Sequence, residues 1–164
     1  MDLGAAAPVP RLNHSLCEAR LEGARLQLIR PWTYMNLSGA AVQLALDLDE
    51  LLPERLLVVC DDIALPLGTL RLRKGGSSGG QRGLEHIIDT LGTDQIARLR
   101  CGVGPVPEGV DAADFVLSPF LPEEKKIASS LIARAADAVR CALLEGLQTA
   151  MNRYNGAGDP LHGE

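Results

Sequence analysis

The segment Arg25–Arg30 (RLQLIR) alternates apolar and polar residues with a period of two, the pattern of a strand with one covered face. Cys17–Leu21 precedes it, and Glu22-Gly23 lies between, so the pair is predicted to form a hairpin. The pattern then changes. Ser38 to about Leu48 is rich in Ala and Leu and is predicted to be helical, with Ser38 as its N-cap. Leu56–Cys60 (LLVVC) is a continuous apolar run, as expected of a central buried strand ending at Asp61. Thr69–Arg73 alternates again. After Lys74–Gly80 (KGGSSGG), a loop, Gln81–Leu91 sets Leu84, Ile87, Ile88 and Leu91 on one helical face. Ala97–Val103 is predicted to be a strand with Arg98 and Arg100 pointing outward. The longest helix is placed at Pro122–Glu145, with a further helical piece at Leu147–Tyr154. Strands alternate with helices, so the class is α/β with a single mixed sheet flanked by helices.

The domain is expected to span residues 12–155, between a loose segment at 1–11 and a disordered tail at 156–164. A length of 164 residues suits one domain with a real core. Aromatic residues make up only 3%, so that core must be built from Leu, Ile, Val and Ala. The net charge of −5 argues against non-specific coating of nucleic acid, while leaving room for a local basic patch. Cys17, Cys60, Cys101 and Cys141 are far apart and lack C-x-x-C spacing, so they are read as reduced thiols in a cytoplasmic protein. No apolar run is long enough for a membrane span, and the N-terminus lacks the apolar core of a signal peptide.

Three places could carry chemistry. Asn36, in Pro31–Gly39 (PWTYMNLSG), sits where a strand gives way to a helix. Its amide can both donate to and accept from a carbonyl or a ribose hydroxyl; the alternative is a turn Asn bonded to its own backbone. Asp61 and Asp62 follow the apolar run, where ligands of open α/β sheets gather; the alternative is a turn carboxylate. The glycine-rich loop feeds a helix N-terminus but matches neither G-x-x-x-x-G-K-[ST] nor G-x-G-x-x-G. Arg71, Arg73, Lys74, Arg82, Arg98 and Arg100 outnumber Glu85, Asp89 and Asp94 in this region. That is a candidate phosphate footprint, with a solvated strand face as the alternative. His14, His86 and His162 have no partners at triad or metal-ligand spacing and are read as solvated imidazoles.

Taken together, Pro31–Val42 (PWTYMNLSGAAV), Leu57–Gly68 (LVVCDDIALPLG) and Lys74–Ile87 (KGGSSGGQRGLEHI) resemble the bacterial-type peptidyl-tRNA hydrolase family. Arg98–Gly104 (RLRCGVG), Asp114–Pro119 (DFVLSP) and Ala150–Asn155 (AMNRYN) extend the resemblance in the family's order. The resemblance implies hydrolysis of the ester joining a peptide to the 3′ ribose of tRNA, by a monomeric enzyme needing no cofactor or metal and no membrane. It implies that Asp61 partners a general-base histidine and that Asn36 holds the substrate or the attacking water. Tyr34 would contact the terminal nucleotide or peptide, and Arg82 would contact RNA.

The sequence also departs from the family's pattern. The family's opening strand, G-x-N-P-G loop and T-R-H-N segment with the catalytic histidine find no match, and His14 lies in a different context, Leu12-Asn13-His14-Ser15. The expectation is therefore a domain lacking its first strand-loop-helix unit and its general base, through a misplaced start or a true truncation. Gln81-Arg82 stands where many members have His-Asn, and Ala64 where a second acid is common. A non-catalytic RNA-binding relative of the family is the alternative function, and an unrelated nucleotide-binding module is a third.

Overall fold

The computed structural model describes residues 7–157. They fall into two compact units, 7–55 with Ser77–Asp94 and 56–76 with 95–157.

The first unit begins with strand β1 (Val9–Pro10), antiparallel to β2 (His14–Leu21), which pairs with β3 (Ala24–Pro31). The hairpin turn is the predicted Glu22-Gly23. Both residues have positive φ, 48° and 86°, which matches the twist of a two-residue hairpin. Strand pairing begins three residues before the expected Cys17, because His14 faces Pro31 across the ladder. Pairing also reaches into the segment expected to be loose, through Val9 and Pro10.

A 3-10 turn, Met35–Leu37, leads into helix α1 (Ser38–Leu48). The helix matches the expected span, but Ser38 is its first residue and not its N-cap. Leu37 takes that position, and the Ser38 hydroxyl donates to the Met35 carbonyl at 2.8 Å. The preceding turn already supplies the bend, so Ser38 is inside the helical path.

The second unit contains β4 (Leu57–Pro66), β5 (Thr69–Arg73) and β6 (Ala97–Gly104). The other helix of the first unit is α2 (Arg82–Leu91), which Gln81 caps by accepting from the Leu84 N–H at 2.6 Å. Helices α3 (Ala112–Leu117), α4 (Lys125–Leu144) and α5 (Leu147–Tyr154) complete the second unit, with a short β7 (Gly156–Ala157). Helix α4 starts after Pro122, later than expected, because the Glu124 carboxylate turns back to accept from the Leu121 N–H at 2.8 Å. Helix α3 was not expected; Asp111 caps it. Among the described residues no helix is long and apolar enough to cross a membrane.

The described strands make two sheets rather than the single expected sheet: β1-β2-β3 and β4-β6-β5-β7. The second is mixed, as predicted, with β4 parallel and β5 antiparallel to β6. Strand β4 was expected to be central and to end at Asp61. It stands instead at the edge of this sheet and runs on to Pro66. The neighbouring β6 is long enough to pair with it that far, and their register breaks between Asp62 and Pro66, over Gly102 and Gly104. A Cβ on either glycine would strike β4 carbonyls, of Pro66 and Ile63 respectively, so the bend depends on them. Pairing of β7 with β5 also orders the first two residues of the expected tail. Among the described residues the first helix is α1, and no strand-loop-helix unit comes before the hairpin.

The second unit's core joins Leu70, Leu72 and Leu99 from the sheet to Leu131, Ala135, Ala138 and Cys141 from α4 and Ala150 from α5. Each fully buried leucine stabilises by about 1.5–3 kcal/mol. Asn155 completes the edge of β5. Its side-chain amide accepts from the Leu72 N–H at 2.6 Å and donates to the Leu72 carbonyl at 3.3 Å, as a neighbouring strand would.

In the first unit, α1 and α2 come together at Gly39. Its N–H donates to His86 Nδ1 at 2.9 Å. A Cβ at this position would overlap Thr90 Oγ1 and the His86 carbonyl and lie 2.6 Å from His86 Nδ1. Gly39→Ala is therefore expected to cost roughly 2–3 kcal/mol, from overpacking and a stretched hydrogen bond. Urea unfolding checks this; an unchanged midpoint would show that the helices can separate freely.

His14 is not the solvated imidazole the sequence suggested. It is 1% exposed, and its Nδ1 lies 2.9 Å from Asn13 Oδ1. Burial first, and the charge of Arg11 second, lower its pKa from the ordinary 6.5. At mildly acidic pH the unfolded chain then binds a proton that the folded chain resists. The stability tied to neutral His14 is present above about pH 6.5 and is lost as the pH falls through the folded-state pKa. Thermal unfolding should show Tm falling between about pH 7 and about pH 5, and falling less in His14→Gln. Equal slopes for the two proteins would contradict this.

Candidate functional site

In the first unit, residues 31–34 alternate between partly covered and exposed, and 34–36 are all exposed. Pro31 and Thr33 are partly covered, whereas Trp32, Tyr34 and Asn36 are exposed. Tyr34 is 83% exposed, a high value for a large aromatic ring with no solvent-facing need of its own. The turn carrying Asn36 rests on the start of α2. Gln81 Nε2 approaches Met35 Sδ at 3.9 Å, and a Cβ on Gly83 would lie 2.7 Å from that sulfur. Glycine at 83 thus lets Met35 seat against the helix, and Asn36 projects beside it. Arg82, in the first turn of α2, is exposed. Tyr34, Asn36 and Arg82 therefore all lie in one unit, on or next to one turn and the helix end beneath it.

Asp61 belongs to the other unit, in mid-strand rather than at a strand end. It is half-buried and lies opposite Cys101 in the register. Its neighbour points to the opposite face: Asp62 is buried, and its Oδ2 stands 2.8 Å from Arg100 Nε. Both atoms lack an aligned hydrogen bond, so this is a contact of charges whose N–H points elsewhere. Asp62 Oδ1 accepts from the Ala64 N–H at 2.9 Å. Asp62 is thus committed to structure.

The cysteines flanking Asp61 do not offer a nucleophile. Burial, reinforced by the Asp61 charge, pushes the Cys60 thiol up to about 12 and the Cys101 thiol up to about 11. Both stay protonated at neutral pH. On the same face, α4 and the β4–β6 pair line a half-open apolar pocket of about 360 Å³, with Val59, Cys101, Val103, Leu131 and Ile132 among its walls. It presents almost no polar surface with which to hold a reacting group. Among the described residues no three His, Cys, Asp or Glu side chains gather as a metal site would require.

The proposed basic footprint is smaller than the sequence suggested. Arg98 and Arg100 do not point outward. Arg98 is 2% exposed and donates to the Ile96 carbonyl at 2.8 Å and to the Gly76 carbonyl. Arg100 is held by Asp62. Their alternation is real, but both faces of β6 are covered, so an arginine there must find partners inside. Arg71, Arg73, Lys74 and Arg82 remain exposed. Arg98 also gives the glycine-rich loop a fixed origin at Gly76, a role hidden from the sequence because the partner is a backbone carbonyl. His86 was likewise read as solvated, but its ring is partly buried and accepts from Gly39.

A sequence model of the family described as peptidyl-tRNA hydrolase matches residues 5–161. The peptidyl-tRNA hydrolase of Chloroflexus aggregans is 47% identical over 146 residues, 88% of this chain and 78% of that protein. That of Chlorobaculum tepidum is 46% identical over 144 residues, 88% of this chain and 77% of that protein. The crystal structure of peptidyl-tRNA hydrolase from Acinetobacter baumannii superposes with a TM-score of 0.84 at 27% identity, covering 93% of this chain and 80% of that one. These matches take in most of the chain and do not support the expectation that the family's opening unit is lacking. With the Tyr34–Gly39 turn seated on α2 and the match running over both units, the chain belongs to the peptidyl-tRNA hydrolase family.

Proposed function

We propose that this protein hydrolyses the ester between a peptide and the 3′ ribose of tRNA, and that Asp61, Asn36, Tyr34 and Arg82 serve that reaction. The observation that carries the reading is the exposed Tyr34-Met35-Asn36 turn, held on the N-terminal end of α2 by Met35 and Gly83. A polar amide and an aromatic ring are thereby offered to solvent from a rigid support, as a binding surface requires.

The chemistry assigned to the residues follows from their groups. A base takes a proton from water, the resulting hydroxide attacks the ester carbonyl, and the tetrahedral intermediate expels the ribose 3′ oxygen, which leaves with a proton. Asn36 donates to the ester or positions the water. Asp61 orients an imidazole base and favours its charged form. Arg82 meets the phosphate backbone, and Tyr34 meets the terminal nucleotide or the peptide. No metal or other cofactor has a part in this scheme, and the protein acts as a cytoplasmic monomer.

Neither His14 nor His86 is assigned as the base. His14 is buried against Asn13, and His86 Nδ1 already accepts from Gly39. With both rings so engaged, imidazole added to the buffer is expected to raise the rate of this chain. RNA binding without cleavage, even with imidazole, would favour the non-catalytic reading.

Release of free tRNA from an N-blocked aminoacyl-tRNA tests the assignments. Asn36→Ala should lower the rate by about 10²-fold or more, and Asp61→Asn should also slow it, with unfolding midpoints unchanged in both. Wild-type rates in the two variants would remove these residues from the site.

A further inference from the structure

We infer that Trp32, together with Tyr34, forms a stacking surface for the unpaired bases at the 3′ end of an RNA, so that Trp32 is a substrate-binding residue. This deepens the reading given under Proposed function and rests on its choice of a tRNA substrate.

The sequence has one Trp, two Tyr and two Phe, which is little aromatic surface for 164 residues. Three of those five rings are exposed, and two of them, Trp32 and Tyr34, stand only two positions apart. Trp32 is 49% exposed and Tyr34 is 83% exposed. Thr33 between them turns inward, its hydroxyl oxygen buried without a hydrogen-bond partner. Both rings are thus offered to solvent on either side of the bend at Thr33. Two residues of backbone span at most about 7 Å, about twice the roughly 3.4 Å rise between stacked bases, so both rings lie within reach of neighbouring bases.

Trp32 is anchored for this role at its edge and not through its faces. Its backbone N–H donates to the Asn13 carbonyl at 3.2 Å, and its indole Nε1 reaches the Leu12 carbonyl at 3.5 Å. Those contacts fix the ring while leaving aromatic surface in water, where stacking on a base removes it from solvent.

Local charge selects nucleic acid over an apolar peptide as the occupant. The protein as a whole has 21 acidic and 16 basic residues. Yet from Gly23 to Leu46 there is no Asp or Glu, and Arg30 stands two residues before Trp32. From Val9 to Cys17 there is again no acid, and Arg11 is exposed. Arg82 adds a further exposed cation on the helix that supports the turn. Against the acidic sign of the whole molecule, the chain carrying these rings is basic, with Glu85 on α2 the exposed acid nearest Arg82 in sequence.

The test uses the fact that Trp32 is the only tryptophan, so intrinsic tryptophan fluorescence reports this ring alone. Titration with the single-stranded oligonucleotide ACCA should quench the emission saturably, whereas an N-acetylated apolar peptide should not. With end-labelled ACCA, Trp32→Ala should weaken binding about tenfold and Trp32→Phe much less, with both variants unfolding at the wild-type midpoint. Absence of quenching, quenching by the peptide alone, or unaltered RNA affinity in Trp32→Ala would overturn the inference. Binding is read without hydrolysis, so the two claims can fail separately. Quenching with no ester cleavage would keep the stacking surface and sink the enzymatic reading; cleavage with no quenching would do the reverse.

Discussion

The close approach of α1 and α2 at Gly39 is the constraint on which the candidate substrate surface depends. The Gly39 N–H is one of the donors that a helix start leaves without an internal partner, and His86 Nδ1 accepts it at 2.9 Å. Because no side chain intervenes at residue 39, the helices lie close enough for Met35 to rest on Gly83. The turn ahead of α1 is thereby propped on α2, and Tyr34 and Asn36 stay in solvent. Two glycines inside segments already legible as helical thus set the position of the two side chains proposed to meet the substrate.

The charges of the second unit follow a related economy. Arg98 and Arg100 could have served as surface cations, but their partners are the Gly76 carbonyl and the Asp62 carboxylate. Leaving either guanidinium unpaired in that interior would be far more costly than leaving it in water. Their burial fixes the origin of the glycine-rich loop and removes Asp62 from chemistry. The cations that remain exposed, Arg71, Arg73, Lys74 and Arg82, are those without such a covered strand around them.

How much of this was legible in the sequence depended on how local each feature is. The Glu22-Gly23 hairpin and the span Ser38–Leu48 could be read because a two-residue turn and a helical run are decided within a few residues. The length and edge position of β4 could not, since they depend on pairing with β6, some forty residues away in the chain. An apolar run followed by two aspartates looks like the end of a strand until a partner is known. The alternation of Arg98 and Arg100 was correctly seen, but alternation does not say which face is covered. Asn36 and Asp61 stood out through their surroundings, whereas His86 and Trp32 lay in the same quoted segments without being singled out; only the partner of one and the exposure of the other reveal them.

The central claim is that the turn from Trp32 to Gly39, held on the start of α2, receives the 3′ end of the substrate. Amide hydrogen exchange with and without an N-blocked aminoacyl-tRNA tests it most directly, because protection is read residue by residue and does not require turnover. The account predicts slowed exchange across residues 32–39 and 81–84, with the outer hairpin at Arg20 and Arg25 unaffected. Protection confined to other segments, with 32–39 exchanging as in the free protein, would contradict it.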